Sequence, residues 1–261
     1  MFDNNLIQEI SKNLLKAEDT GIPVVKLSKK YKDITIFDSY KIQEEVVRLK
    51  TTRGEKIIGK KIGLTSKGIQ NQFGVYEPDY GILTDKGLLK NNQELDISKL
   101  NQPKIEAEIV FILKEDLLGP VVTPWNVISA TEGIMPALEV VDTRFNDWKI
   151  KIFDTVADSA SYARIVVGDK MTKIDDIDLS LLGMTSYKNG KLEFTAAGAE
   201  VMGNPINSVV WLANKMIELG QPLKKGEVIL SGSLTPLMGI SSGDYIQVKF
   251  DRIGSVSLNI I

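Results

Sequence analysis

The sequence predicts an α+β protein in which a helical N-terminal portion precedes a domain dominated by a mixed β-sheet. Apolar residues recur at helical spacing in the first 55 residues. From Ile57 onward, short β-rich runs alternate with Gly, Pro, Asn and Asp, and the pair Asn189-Gly190 is a strong hairpin signal. We therefore expect a helical portion over residues 1–55 and a β-sheet domain over residues 56–261.

Two helices are predicted in the N-terminal portion. Residues 5–17 place apolar side chains every three or four positions, which is the pattern of an amphipathic helix. A second helix is predicted over residues 38–50, because Thr35 and Asp38 have the spacing of a capping box.

The remaining elements are predicted from β-rich runs and helix caps. Strands are expected over residues 56–63, 106–113, 163–167 and 245–250. Thr123-Pro124 is typical of a helix start, and a further helix is expected over residues 207–219, ending at Gly220.

The composition is that of an ordinary globular protein. Of the 261 residues, 43% are hydrophobic and 25% are charged, and the net charge is -2. This balance argues against nucleic acid as a partner. The chain contains no apolar run long enough to cross a membrane and no signal-peptide pattern at its start. We therefore expect a cytoplasmic protein without a membrane partner.

Two residue types are absent, and their absence restricts the chemistry. The chain contains no cysteine and no histidine, so neither thiolate nor imidazole is available as a nucleophile, base or ligand. Catalysis must use Lys, Asp, Glu, Tyr, Ser or the backbone. A metal site must consist of oxygen ligands, which favours Mg²⁺ or Mn²⁺ and argues against zinc and copper.

Two glutamates lie in a strand that is otherwise apolar on both faces. Glu106 and Glu108 are two residues apart within residues 104–113, so they share one face. Adjacent buried carboxylates repel each other unless a cation neutralises them. The alternative is an exposed pair at the open end of the strand, solvated or matched with Lys104 and Lys151.

A third acid, Glu139, lies within the apolar run of residues 135–142. Together with the two preceding glutamates it completes a plausible oxygen-only site for Mg²⁺ or Mn²⁺. The alternative is an ion pair with Arg144 or Lys149. The residues alone leave both interpretations open.

Two further polar residues are candidates for catalysis. Lys61 lies in a strand pattern between Gly59 and Gly63, where a ligand can approach closely. A buried lysine can bind a carboxylate or an enolate, although most strand lysines are solvated. Asp79 lies in the loop-like residues 76–81, for which turn geometry is the ordinary explanation.

Two stretches, residues 154–161 and 231–236, are rich in hydroxyl groups and approachable backbone amides. Such groups suit an anionic head group. Either stretch can equally be a turn without a ligand.

In this order, these residues resemble the 2-oxopent-4-enoate hydratase and 2-oxohex-3-enedioate (4-oxalocrotonate) decarboxylase family of the fumarylacetoacetate hydrolase superfamily. The resemblance extends from about Asp38 to the C-terminus. Its densest stretches are residues 59–66, 77–81, 103–108, 136–144, 147–161, 198–214 and 231–235. Many matches in the same order are specific, whereas a single one is weak.

The resemblance implies a mixed, twisted β-roll, a homo-oligomer and a Mg²⁺ or Mn²⁺ site formed by Glu106, Glu108 and Glu139. It thereby decides between the alternatives for these three acids. It further implies that Lys61 and Asp79 are catalytic.

The same resemblance implies substrate contacts from three hydroxyl residues. They are Ser161 and, in the loop of residues 231–235, Ser233 and Thr235. The family's common Ala-Asp-Asn-Ala-Ser stretch has Ser159 in place of its Asn here.

The implied reaction is hydration of 2-hydroxypenta-2,4-dienoate, a small 2-oxo acid in its enol form, to 4-hydroxy-2-oxopentanoate in the catabolism of aromatic compounds. The alternative is decarboxylation of 2-oxohex-3-enedioate, but residues 77–81 and 147–150 look more like the hydratase branch. Carbon-carbon bond hydrolysis generally needs a histidine, which is absent here. A different class of function is a non-catalytic partner subunit. A downstream aldolase or a paired decarboxylase is the expected protein partner.

Overall fold

The computed structural model describes the backbone of residues 1–261 and all side chains apart from the one at position 72. The helices, in chain order, are α1 Asn4–Thr20, α2 Leu27–Lys30, α3 Ile36–Thr52, α4 Lys67–Phe73, α5 Pro124–Ala130, α6 Ile152–Ala157 and α7 Pro205–Glu218. Short 3-10 helices are formed by Asp85–Gly87, Ser159–Ser161 and Gly198–Glu200.

The strands form two sheets. In chain order they are β1 Ile57–Gly63, β2 Asp79–Thr84, β3 Leu88–Lys90, β4 Glu94–Leu95, β5 Lys104–Leu113, β6 Thr131–Val141, β7 Tyr162–Val167, β8 Gly183–Lys188, β9 Lys191–Ala197, β10 Val228–Leu230, β11 Met238–Gly239, β12 Tyr245–Phe250 and β13 Gly254–Ile260.

The N-terminal helices α1 and α3 are capped as the sequence indicates. Asp3 accepts a hydrogen bond from the Leu6 amide at the start of α1, and Thr35 and Asp38 form a reciprocal capping box at the start of α3. Apolar side chains of both helices pack together and against Phe145, which lies in the segment after β6. Both predicted helices are confirmed, and each extends a few residues beyond the predicted range.

The larger sheet has eight strands and provides the frame of the candidate site. Its order is β2-β1-β10-β5-β6-β7-β3, and β11 also pairs with β5. Strand β5 lies near its centre and pairs antiparallel with β6, with Glu106 directly opposite Glu139. On the other face of β5, Ile105, Ile109 and Phe111 are fully buried in the main core. Apart from its first residue and its two glutamates, β5 is therefore apolar, and these acids lie in a buried environment.

The smaller sheet has five strands in the order β4-β13-β12-β8-β9. Strands β8 and β9 form the predicted hairpin, and both Asn189 and Gly190 have the positive φ angles of a type I′ turn. Ile246 and Val256 lie in the same buried cluster as residues of β5 and β6. The main core thus includes side chains from both sheets.

The predicted α+β class and the main strands are confirmed, with local differences. The last helix begins at Pro205, after the cap Asn204, because the Asn204 side chain accepts a hydrogen bond from the Ile206 amide at 2.9 Å. Helices α2, α4 and α6 were not predicted. The division at residues 55 and 56 stays a prediction. Among the described residues, no helix is both long and apolar enough to cross a bilayer.

Candidate active site

The three predicted metal ligands converge on one point of the larger sheet. Glu106 and Glu139 are directly paired across β5 and β6, and Glu108 follows two residues later on the same face of β5. One carboxylate oxygen from each residue lies within 4.8 Å of the others. The strand register therefore brings together residues 33 positions apart in the sequence.

The burial of these carboxylates fits a hard cation. Glu139 is completely inaccessible to solvent, and Glu108 is 1% exposed. Glu108 Oε2 accepts a hydrogen bond from the Gly232 amide at 2.8 Å, whereas neither oxygen of Glu139 accepts a well-directed hydrogen bond. Buried carboxylates without partners are costly unless a positive charge compensates them. Oxygen ligands of this kind are preferred by Mg²⁺ and Mn²⁺.

Lys61 brings a positive charge to the cluster. Its Nζ atom lies 2.9 Å from Glu139 Oε2 and donates a hydrogen bond to the Ala160 carbonyl oxygen at 3.0 Å. Burial by itself lowers the pKa of this lysine, but the carboxyls of Glu139 and its acidic neighbours raise the pKa above its ordinary value. Lys61 is therefore a fixed ammonium group.

Asp79 lies close to Lys61 at the start of β2. It pairs with Gly63 in β1, where a side chain would collide with the Asp79 carboxylate. Both Asp79 oxygens are buried without a hydrogen-bond partner, and burial raises its pKa to about 6 despite the opposing charge of Lys61. Residues 76 and 77 form a bend, in line with the turn pattern, but Asp79 itself is the first residue of a strand.

The pKa values of the three glutamates are also perturbed. Burial raises the pKa of Glu106 to about 7, although Lys61 lowers it, and repulsion by Glu139 adds to the increase. Burial followed by repulsion from both neighbours raises the pKa of Glu108 strongly, and burial raises that of Glu139 against the effect of Lys61. Without a metal ion, these three carboxyls therefore hold their protons more tightly than exposed carboxyls do.

One cavity of about 650 Å³ connects the predicted residues. Six of the eight contribute to its wall: Lys61, Asp79, Glu106, Ser161, Ser233 and Thr235. The other two, Glu108 and Glu139, adjoin Glu106 in the carboxylate cluster. The volume is within the usual range of small-molecule sites.

The sequence analysis missed the apolar part of this wall. Ile69 and Phe73 from α4, together with Trp148 and Leu237, line the same cavity. The signal for α4 was present, because Ser66 caps its first turn and Gly74 adopts the left-handed conformation at its end.

The alternative ion pairs are wrong. Glu139 contacts Lys61, whereas Arg144 forms a buried pair with Asp158. Among the described residues, neither Lys104 nor Lys151 forms an ion pair with Glu106 or Glu108; Lys104 Nζ lies 4.7 Å from the centre of a tryptophan ring. Long-range packing decides which opposite charges meet.

Comparison with known proteins shows close relatives over the whole chain. The 2-hydroxyhexa-2,4-dienoate hydratase of Comamonas testosteroni is 40% identical over 260 residues, which cover 99% of this chain and 98% of that protein. The chain belongs to the hydratase and 4-oxalocrotonate decarboxylase family. Enzymes with these names are lyases, and so is this chain. No family model matches the chain.

Solved structures agree with this membership. The 4-oxalocrotonate decarboxylase of Pseudomonas putida G7, complexed with magnesium and adipate, superimposes with a TM-score of 0.97 at 36% identity and covers 100% of this chain and 99% of its own. A fumarylacetoacetate hydrolase family protein from Yersinia pestis, at 15% identity and a TM-score of 0.60, covers 78% of this chain and 94% of its own. The second match shows the common fold alone and confirms the predicted β-roll.

Proposed function

We propose that the protein is a Mg²⁺- or Mn²⁺-dependent hydratase that converts 2-hydroxypenta-2,4-dienoate to 4-hydroxy-2-oxopentanoate. One observation carries this proposal: three acids from β5 and β6 converge beside Lys61 and Asp79 at a single cavity. The names of its relatives and the magnesium in the decarboxylase structure give further support.

The metal site is assigned to Glu106, Glu108 and Glu139. When bound there, the divalent cation supplies positive charge that favours the enolate form of a 2-oxo acid. Glu106 contributes to the cavity wall, so its side of the cluster faces the substrate. Glu108 is oriented by the Gly232 amide.

Lys61 and Asp79 are assigned complementary roles. The Lys61 ammonium group binds a carboxylate or enolate oxygen of the substrate, because its surroundings keep it protonated. Asp79 moves protons between water and the substrate carbons, since a pKa of about 6 allows both protonation states near neutral pH. As the dienol loses its hydroxyl proton and becomes the conjugated ketone, Asp79 delivers a proton to C5. It then accepts a proton from the water that adds at C4 and passes this proton to C3, and the proton lost from the hydroxyl group restores protonated Asp79.

Three hydroxyl residues are assigned to substrate binding. Ser161 Oγ lies 3.5 Å from Thr155 Oγ1, at the limit of a hydrogen bond, so its hydroxyl remains available to a ligand. Ser233 Oγ accepts from the Thr235 amide, which orders the loop next to Gly232. These residues place polar groups around the carboxylate end of a small acid.

The assembly is proposed to be a homo-oligomer. Large apolar side chains remain at the surface, including Trp125, which is 72% exposed, and Val121, which is 68% exposed. Such side chains are covered at subunit interfaces in many oligomers. A cytoplasmic location, and a downstream aldolase or paired decarboxylase as partner, belong to the same proposal.

The decisive experiment uses the purified protein alone. We expect Mg²⁺-dependent hydration of 2-hydroxypenta-2,4-dienoate, which is measured by the decrease in the ultraviolet absorbance of this substrate. A chelator should abolish turnover. Release of carbon dioxide from 2-oxohex-3-enedioate without hydration would instead assign the decarboxylase activity. Inactivity towards both, combined with tight binding of a decarboxylase, would assign a non-catalytic subunit.

A matched variant tests the metal assignment. Glu106→Gln retains the size of the side chain but removes one negative ligand. We expect this variant to fold and to lose metal-dependent hydration. Full activity of Glu106→Gln in the presence of chelator would contradict the metal site.

A further inference from the structure

Beside the cavity, three consecutive residues adopt left-handed backbone conformations although none of them is a glycine. Ser159, Ala160 and Ser161 have φ angles of 51°, 52° and 60°, and all three are buried. Each such residue costs conformational free energy, and the conformation persists only where its surroundings hold it in place. This left-handed turn, residues 159–161, therefore requires a specific support.

The left-handed turn contacts the proposed catalytic residues. The Ala160 carbonyl oxygen accepts the hydrogen bond from Lys61 Nζ at 3.0 Å. Ser161 contributes to the cavity wall. The Ser159 carbonyl packs so closely on Gly81, in the strand that begins at Asp79, that a side chain at Gly81 would collide with it. The conformation of the turn thus determines where the lysine acceptor lies.

The support for this turn is the guanidinium group of Arg144. Nη2 donates to the Asp158 carbonyl at 2.6 Å, and Nη1 donates to the Tyr162 carbonyl at 2.9 Å. These two carbonyls lie immediately before and after the turn. The third donor, Nε, pairs with the Asp158 carboxylate, which also accepts from the Arg144 amide at 3.1 Å. The rigid fork of arginine thereby holds both ends of the turn.

We propose that Arg144, oriented by Asp158, is a positioning residue: it maintains the left-handed turn and, through the Ala160 carbonyl, holds the Lys61 ammonium group in its working position. The kinetic part of this proposal depends on the proposed hydratase function; the structural part does not. Arg144 and Asp158 are both buried and outside the cavity wall, so they act through the turn.

The first test is the crystal structure of Arg144→Lys. Lysine keeps the positive charge but lacks the planar fork that binds two carbonyls at once. We expect Ala160 to leave the left-handed region and the hydrogen bond between Lys61 Nζ and the Ala160 carbonyl to be lost. An unchanged turn with Lys61 in place would overturn the proposal, whether or not the protein hydrates any substrate.

The second test is kinetic. Because a displacement of about 1 Å near the reacting atoms costs on the order of 100-fold in rate, we expect the kcat of Arg144→Lys to fall about 10- to 100-fold. We expect KM to change little in comparison. A kcat within twofold of that of an active wild type would also overturn the proposal.

A double-mutant cycle separates positioning from general structural support. If Arg144 acts through Lys61, adding Arg144→Lys to Lys61→Ala should leave the residual kcat unchanged within about twofold. A merely structural role would instead multiply the two losses. Multiplicative losses, measured per folded molecule, are therefore the contradicting result.

The control variant is Glu227→Gln, which breaks the pair that Glu227 forms with Lys60 at 2.7 Å on the other face of β1. It should lower Tm without changing kcat. If Arg144→Lys does not fold, Asp158→Asn provides the same tests, because it keeps the shape of the side chain and removes its charge. We expect Asp158→Asn to lower kcat in the same direction, and an unchanged turn and kcat in that variant would equally refute the proposal.

Discussion

Strand β1 contains two adjacent lysines that face opposite sides of the larger sheet, and their surroundings differ. Lys60 and Lys61 are 6% and 3% exposed, so both are buried. Lys60 Nζ lies 2.7 Å from Glu227, which neutralises it one to one. Lys61 instead faces the carboxyls of Glu139, Glu106, Glu108 and Asp79.

The difference shows that an imbalance of buried charge marks the functional side of this strand. A one-to-one ion pair is self-sufficient, whereas four carboxyls around one ammonium group leave an excess of negative charge. Perturbed pKa values and carboxylate oxygens that accept no hydrogen bond lie on the Lys61 side. Burial alone would not have distinguished the two lysines.

The largest expected effect is that of removing the Lys61 side chain. Lys61→Ala should lower kcat for hydration by about 1000-fold, because the group that binds the developing negative charge is lost. Steady-state kinetics with saturating Mg²⁺ measures this loss. Circular dichroism should show an intact fold.

The matched variant on the other face is Lys60→Ala. It should leave kcat within about threefold and lower Tm, because a buried ion pair is broken. Equal losses of kcat in both variants would contradict the comparison between the two faces.

The next effect concerns metal affinity. Glu108→Gln should weaken Mg²⁺ binding by about 100-fold, because a negative ligand is lost. The same variant should make the metal-free protein more stable at pH 8, since it removes repulsion within the buried cluster. Isothermal titration calorimetry and urea unfolding with chelator measure the two effects.

For comparison, Glu227→Gln should lower the stability of the metal-free protein, because its carboxylate is balanced by Lys60. If Glu108→Gln and Glu227→Gln change stability in the same direction, the charge imbalance proposed here is wrong.

The smallest expected effect is the pH dependence of stability. In the folded metal-free protein the pKa values of Asp79 and Glu106 are raised to about 6 and about 7. The folded state therefore binds more protons than the unfolded state between about pH 4 and pH 7, and its stability falls as the pH rises through this range.

Bound Mg²⁺ replaces these protons, so the increase in Tm caused by Mg²⁺ should grow from pH 5.5 to pH 8. Thermal unfolding with and without Mg²⁺ at several pH values measures this trend. A Tm increase that is constant or that shrinks with rising pH would contradict the raised pKa values.

Local patterns explain which parts of the fold were predictable. Helix α3 was recognised because Thr35 and Asp38 cap it within four residues, and the hairpin was recognised from Asn189-Gly190. Helix α4 was missed because it has only seven residues, too few for a clear apolar period. Its role in the cavity wall depends on contacts with distant segments.

The candidate site was also predicted only in part from local patterns. Glu106 and Glu108 were placed on one face by strand periodicity. Glu139, Lys61 and Asp79 were candidates from their positions in the sequence, and the resemblance decided between the interpretations of these residues. The structure shows that these five residues lie close together, while their catalytic and metal-binding roles stay predictions. The support of residues 159–161 by Arg144 had no local signal.

The sequence by itself determined the chemistry available to this protein: without histidine and cysteine, oxygen ligands and a lysine had to suffice. It also determined the helical and strand periods, because these depend on neighbouring residues. Only the tertiary structure decided that Glu139 meets Lys61 and that Arg144 meets Asp158. The reason is that strand register and packing join residues far apart in the chain, and the energy of a buried charge depends on all the charges that converge on it.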